Sequence, residues 1–173
     1  MKNNIILIGM PGAGKSTVGV LLAKELAKDF VDTDVLIQVQ QKTILQDILD
    51  KKGYMELRRI EEQVLLNATF TNHVIATGGS AVYSQSGIEH LKASGIAIFM
   101  EVSIDVLRRR IHNYETRGIA KRPEQSFDEL FEERRQLYVK YADLIIDCNR
   151  GTPDVIVDKI KEQLASMHSQ LQK

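Results

Sequence analysis

Short apolar runs punctuate the chain at residues 4–8, Phe30-Val31, 73–76, 96–100 and 144–146. They are rich in β-branched residues and too short for helices, so they read as buried strands. The stretches between them repeat their apolar positions at helical spacing. VGVLLAKELAK follows the first run, and polar helical segments cover about 34–41, 45–50 and 55–68, with Gly53 as the break. Further helices fall at about 87–93 and 104–112, another carries Glu132 to Arg135, and the last begins after Pro153. Strand and helix in alternation predict a parallel sheet covered by helices on both faces. No repeat, linker or low-complexity stretch interrupts this pattern, so residues 1–173 read as a single domain.

The turn after the first strand carries the chemistry. Gly9-Met10-Pro11-Gly12-Ala13-Gly14-Lys15-Ser16-Thr17 satisfies G-x-x-x-x-G-K-[ST] between a strand and a helix, the setting a P-loop (Walker A) requires. Glycines let successive backbone N–H groups turn toward an anion, and the new helix adds its free N–H groups and the positive end of its dipole. Lys15 is placed to reach the β- and γ-phosphates, and the Ser16 hydroxyl to ligate Mg²⁺. A nucleoside triphosphate is the expected ligand.

Composition narrows the remaining classes. The 23 basic and 23 acidic residues balance, so no overall field attracts nucleic acid or an anionic membrane. No apolar run approaches the ~20 residues of a membrane span, and the first strand begins too early to leave room for a signal peptide. The lone cysteine, Cys148, forms no internal disulfide and suits a reducing, cytoplasmic setting. The four histidines show no metal-ligand spacing.

In open α/β sheets ligands gather at the carboxyl ends of the strands. Asp32-Thr33-Asp34 leaves the second strand, expected to lie beside the first. One carboxylate there can hold Mg²⁺ through water and the other can face a substrate hydroxyl; helix capping could explain one of the two but not both. Arg58 and Glu61 share a helix face and can pair, as surface residues at this spacing often do. Thr77-Gly78-Gly79-Ser80 permits close backbone approach to a ligand, or is simply a tight turn. Arg108 to Arg110 suit the C-terminus of a helix. The polar loop beyond, about 112–125, reads as a mobile lid whose Arg117 would meet the transferring phosphoryl group.

Taken together and in order, these segments resemble the shikimate kinase family of nucleoside-monophosphate-kinase-like P-loop proteins. FVDTD (30–34), LRRIE (57–61), TGGS (77–80), RRQLY (134–138) and the loop Asp147 to Pro153 are similar to the family's F-x-D-x-D, F-R-x-x-E, T-G-G-G, R-x-P-L-Y and D-x-x-x-x-x-P elements. The resemblance implies a three-layer αβα P-loop kinase fold with a central five-stranded parallel sheet, a mobile lid and substrate-binding helices at about 34–68. It implies phosphoryl transfer from ATP, with Mg²⁺, to shikimate, a step of aromatic amino acid biosynthesis. By the same resemblance Gly12, Ala13, Gly14, Lys15, Ser16 and Thr17 would bind nucleotide phosphates, with Arg110 and Pro153 at adenine. Ser16 and, through water, Asp32 would hold the metal. Asp34, Arg58, Glu61, Gly78, Gly79, Ser80 and Arg134 would bind the acceptor, with Glu61 steadying Arg58. Lys15, Asp34 and Arg117 would be catalytic.

The chain departs from the family pattern at Tyr54, Leu57, Ser80, Gly118 and Gln136. Leu57 and Ser80 would line the acceptor pocket, so they bear on the acceptor rather than on the kinase reaction. Two other readings stay open: a kinase of this fold for a different hydroxylated carboxylic acid, and a nucleotide switch without turnover. The expected partners are ATP and a small hydroxylated acid, with no nucleic acid or membrane, and the chain is read as a monomer.

Overall fold

The computed structural model describes residues 2–111 and 117–171. Five strands form one parallel sheet: β1 (Asn4–Ile8), β2 (Asp29–Asp32), β3 (His73–Ala76), β4 (Gly95–Glu101) and β5 (Leu144–Asp147), in the order β2-β3-β1-β4-β5. All five expected runs became strands, displaced by one or two residues at most. The central strand β1 is buried along its whole length, its Ile5 facing Val74 of β3 on one side and Ile96 of β4 on the other. That two-sided burial is why it reads as an uninterrupted apolar run.

The helices are α1 (Lys15–Glu25), α2 (Thr33–Gln41), α3 (Leu45–Asn67), α4 (Gln85–Ser94), α5 (Ile104–Arg110), α6 (Phe127–Tyr141) and α7 (Pro153–Leu171), with a 3₁₀ turn at Ala81–Tyr83. Gly53, at φ 82° and ψ 167°, breaks α3 into two helical pieces, as its position in the sequence predicts. The expected end of α5 at His112, and residues 112–116 of the predicted lid, lie outside the described residues.

One expectation is corrected. β2 does not lie beside the P-loop strand, because β3 is inserted between them. Consecutive strands neighbour one another only about two-thirds of the time. Here the chain leaves β1 for the sheet edge, returns to β3, then crosses β1 to β4. The loops after β1, β2, β3 and β4 therefore converge at one end of the sheet.

A large apolar core lies around the sheet, and a smaller one sits under α2 and α3. The second cluster joins Ile37, Ile48, Leu57, Ile60 and Val64 with Ala120, which lies well past α5 in the chain. A side chain from the 117–126 segment is thus part of the packing that holds α2 and α3 together.

Candidate active site

Glycine geometry builds the loop after β1. Gly9, Gly12 and Gly14 have φ of 147°, 82° and 94°, values that a Cβ resists. A Cβ on Gly9 would meet the Met100 carbonyl at 2.9 Å and one on Gly12 the Ile111 side chain at 2.6 Å; at Gly14 it would meet nothing within 4 Å. The first two glycines permit close packing, and Gly14 permits the turn into α1. No side chain caps α1, and its first turn carries no acidic residue. Its leading N–H groups and the positive end of its dipole are left for an anion.

Lys15 is 8% exposed and donates to the carbonyls of Gly9 (2.8 Å) and Met10 (2.9 Å). Burial pulls its pKa down to about 8, against the pull of Asp34 and Asp32. Ser16 Oγ donates to Asp32 Oδ2 at 2.5 Å, while Asp32 Oδ1 accepts from the Asp34 backbone N–H at 2.9 Å. The capping reading and the metal-side reading of Asp32 therefore meet in one carboxylate. Asp32 caps α2 with one oxygen and faces the P-loop serine with the other, which leaves Asp34 free of a capping role.

A cleft of about 410 Å³ opens beside this loop, lined among others by Gly12, Gly14, Lys15, Ser16, Thr17, Asp32, Asp34, Glu61, Gly79, Ser80, Arg110, Arg117 and Arg134. Ala13 and Pro153 line an adjoining hollow of about 260 Å³ with Arg110, Thr17, Cys148 and Gly151. Arg110 Nη2 donates to the Cys148 carbonyl at 3.1 Å, which fixes the guanidinium at the mouth of that hollow. Of the predicted site residues, only Arg58 and Gly78 line neither. Gly78 lies behind the cleft wall, where a Cβ would meet Glu61 Oε1 at 2.2 Å and Asp34 Oδ1 at 2.6 Å. Both carboxylates therefore crowd one glycine, and its N–H is held by Thr33 Oγ1 at 3.0 Å.

Crowding and burial set the electrostatics. Asp34 is raised to about pKa 6, first by burial and then by Asp32. Glu61, 3% exposed, is raised to about 7 by burial and then by Asp34. Arg134 is 1% exposed, and its Nη2 donates to the Ala120 carbonyl at 2.8 Å; Arg58 Nη2 reaches the same carbonyl at 3.2 Å. Neither arginine makes an ion pair with a carboxylate among the described residues. Arg58 Nε, Arg134 Nε and Glu61 Oε1 are buried without a hydrogen-bond partner.

The expected Arg58–Glu61 pair does not form. Arg58 instead lies 3.5 Å above the Tyr83 ring, with Tyr54 at 5.2 Å, and Glu61 Oε2 accepts from Ser80 Oγ at 2.5 Å. An i,i+3 spacing permits a pair but does not compel one when an aromatic face and a hydroxyl compete. Sequence reasoning missed Tyr83 and the Ala120 carbonyl. The 3₁₀ turn brings Tyr83 in from a segment without polar pattern, and a carbonyl has no side-chain signature. Tyr138 lay within the RRQLY segment without an assigned role, and its hydroxyl anchors the Gly79 carbonyl at 2.6 Å.

Gly118 has φ 66°, donates its N–H to Gln46 Oε1 at 2.8 Å, and lies so close that a Cβ would stand 2.6 Å from Leu45 Cβ. A proline there would lose that donor and could not take that φ, so glycine lets the segment after Arg117 seat against α3. Gln136 is exposed on α6 and touches neither cavity.

A phosphate cradle opening onto a pocket lined by the buried Arg134 and Glu61 and by Asp34 defines the class, a P-loop small-molecule kinase. The shikimate kinase family model matches residues 11–165. A shikimate kinase of Rippkaea orientalis is 41% identical over 168 residues, covering 95% of this chain and 89% of that one. One from Sulfurihydrogenibium sp. is 34% identical, covering 91% and 95%. The structure of a shikimate kinase from Acinetobacter baumannii in complex with shikimate superposes with a TM-score of 0.87 at 32% identity, covering 95% of this chain and 93% of the other. The chain belongs to the shikimate kinase family.

Proposed function

We propose that the protein transfers the γ-phosphoryl group of ATP to a hydroxyl of shikimate, giving ADP and shikimate 3-phosphate. One observation carries the choice of acceptor: Arg134 is 1% exposed and the half-buried Arg58 stands beside it, yet both donate to the one Ala120 carbonyl and neither hydrogen-bonds a carboxylate among the described residues. One buried and one half-buried guanidinium without a hydrogen-bonded counter-ion are costly, and a carboxylate on the substrate supplies that partner. The orphaned Nε atoms give each arginine a further donor for it. Shikimate brings one carboxylate and several hydroxyls, and the Acinetobacter relative was solved with that compound bound.

The roles follow. Backbone amides of Gly12 to Thr17 hold the phosphates. Lys15 turns from the Gly9 and Met10 carbonyls to the β- and γ-oxygens, and an anion there offsets the burial that lowers its pKa. Ser16 and Asp32 present a hydroxyl and a carboxylate side by side, hard oxygen donors suited to Mg²⁺. Among the described residues no cluster of three His, Cys, Asp or Glu competes for a metal. The metal, when bound, neutralises phosphate charge. Asp34, poised near neutrality, accepts a hydrogen bond from the attacking hydroxyl and takes its proton. Glu61 and the backbone of Gly78 to Ser80 shape the acceptor's floor. Arg117, at the cleft wall, meets the charge of the transferring group, and Arg110 with Pro153 brackets the adenine.

In this reading residues 1–173 are one domain, with a lid at about 112–125 that closes over the cleft and acceptor-binding helices at about 34–68. We read the protein as a monomer, a state in which one chain can supply every site residue. The balanced charge gives nucleic acid no purchase, and no described helix is long and apolar enough to cross a membrane. The buried Cys148 thiol, pushed up to about pKa 12 by desolvation, fits a reducing cytoplasm.

The test is ADP release with ATP, Mg²⁺ and shikimate, with the product read by phosphorus NMR. A new phosphate-ester signal is expected, absent in Lys15→Ala protein that keeps its circular dichroism. No shikimate-dependent ADP release by wild type would overturn the acceptor.

A further inference from the structure

Ser80 stands at the head of the 3₁₀ turn, where a serine would ordinarily cap the N–H groups ahead of it. It makes no such bond. Its hydroxyl goes to Glu61 Oε2 at 2.5 Å, across 19 residues of sequence. Glu61 is 3% exposed, and its other oxygen, Oε1, is buried with no partner. Oε1 presses on Gly78 from the same side as Asp34 Oδ1. Arg58, the neighbour expected to hold this carboxylate, is engaged elsewhere, on the Tyr83 ring and the Ala120 carbonyl. Ser80 itself lies on the wall between the cleft and an outer groove that Arg58 and Tyr83 also line.

We propose that Ser80 is a positioning residue that sets acceptor specificity: by occupying Glu61 Oε2 it holds this cleft-lining carboxylate beside Asp34 with Oε1 unmet, and Oε1 receives a hydrogen bond, once the acceptor binds, from a hydroxyl next to the one held by Asp34. This rests on the acceptor reading above and sharpens it, since it calls for two neighbouring hydroxyls on the substrate rather than one. The division is physical. A buried carboxylate satisfied on one oxygen and bare on the other is destabilised until a donor arrives, and a polyol supplies that donor. An acid lacking the second hydroxyl leaves Oε1 bare and binds more weakly.

The groups that face Glu61 are Asp34 from α2, Arg134 from α6, Lys15 from α1 and Arg58 on its own helix. Burial and Asp34 push its pKa upward, and the Ser80 hydroxyl works against them. Removing that hydroxyl should therefore raise the pH at which Glu61 ionises, because Arg58 remains committed to Tyr83.

Ser80→Ala, with Ser80→Thr as the conservative variant, tests the assignment in two ways. Steady-state kinetics should show the KM for shikimate rising about tenfold, the loss expected when a charged hydrogen-bond acceptor is misplaced. The acidic limb of kcat/KM should move to higher pH, while ADP affinity stays at the wild-type value. Ser80→Thr should recover both the KM and the limb. Carbon-13 carboxyl NMR of the ligand-free protein, which needs no substrate, should show the Glu61 titration midpoint raised in Ser80→Ala. An unmoved or lowered midpoint overturns the proposal whatever the kinetics do. So does an unchanged KM in an enzyme that turns over shikimate. If wild type does not turn over shikimate, the acceptor reading falls, and the carboxyl titration alone decides whether Ser80 positions Glu61.

Discussion

The two halves of the cleft are built on opposite plans. The phosphate cradle is local: nine consecutive residues, Gly9 to Thr17, three glycines at positive φ, and a helix start with no side-chain cap of its own. The acceptor half is assembled from α2, α3, the turn after β3, the 117–126 segment and α6, and its charged groups are side chains. Backbone N–H groups cost little to present to an anion, since helix ends leave them unsatisfied anyway. Buried guanidiniums and carboxylates are costly in the absence of ligand, and the acceptor half carries the orphaned atoms Arg58 Nε, Arg134 Nε and Glu61 Oε1 to show it. A backbone site recognises any triphosphate. A side-chain site of this kind selects, because each unmet group penalises the wrong substrate.

The largest expected effect separates the halves at their junction. Arg117 is proposed to meet charge that develops during transfer, so Arg117→Ala should lower kcat by about 10³–10⁵-fold while ADP affinity changes little. Pre-steady-state turnover alongside ADP titration checks this, and equal losses in both would place Arg117 on the ground-state phosphates.

Within the acceptor half, replacing a planar fork by a point charge should raise the KM for shikimate by roughly 10–100-fold. Arg134→Lys should be the more damaging of the two such changes, because Arg58 keeps the Tyr83 face as a second support whereas Arg134 lies 5.5 Å from that ring. A larger KM effect at Arg58 would reverse the assigned order.

Glu61→Gln should trade activity for stability. The folded-state pKa is about 7, above the ordinary 4.5. A raised carboxylate favours folding fully below its unfolded pKa, and that contribution is lost as pH rises through the folded value. At about pH 8 the ionised Glu61 is a burden, and the amide should stabilise the ligand-free protein by roughly 1–3 kcal/mol. The gain should vanish by about pH 5. Urea melts at the two pH values measure it, and equal stability at both would mean that Glu61 is already paired.

The smallest effect is expected at Leu57, 3% exposed and on the cleft wall. Leu57→Phe restores the aromatic of the family pattern and should leave shikimate turnover unchanged or improved. A clear loss, matched by gain toward another hydroxy acid in a panel, would move the acceptor assignment.

This contrast also explains what the sequence made legible. Strand positions could be read because both faces of a parallel sheet are buried, and the cradle could be read because its residues are contiguous. The order of β2 and β3 could not, since apolar runs say that strands pair and not with which neighbour. In the acceptor half the residue types were visible while their pairing was not. Arg58 and Glu61 are three apart on one helix, yet Tyr83 and Ser80, from another part of the chain, take them separately. Gly118 reads in sequence as a softer hinge than proline; in three dimensions it is the only residue type that fits against Leu45 with that φ.

Selection of an anionic acceptor by Arg58 and Arg134 is tested most directly by removing the charge from the substrate rather than from the enzyme. Shikimate and its methyl ester share every hydroxyl, so kcat/KM for the two, measured in one ADP-release assay with ADP affinity determined alongside, isolates the carboxylate. The ester should fall by roughly 100-fold or more while ADP binds as before. An ester phosphorylated as well as the acid would contradict it.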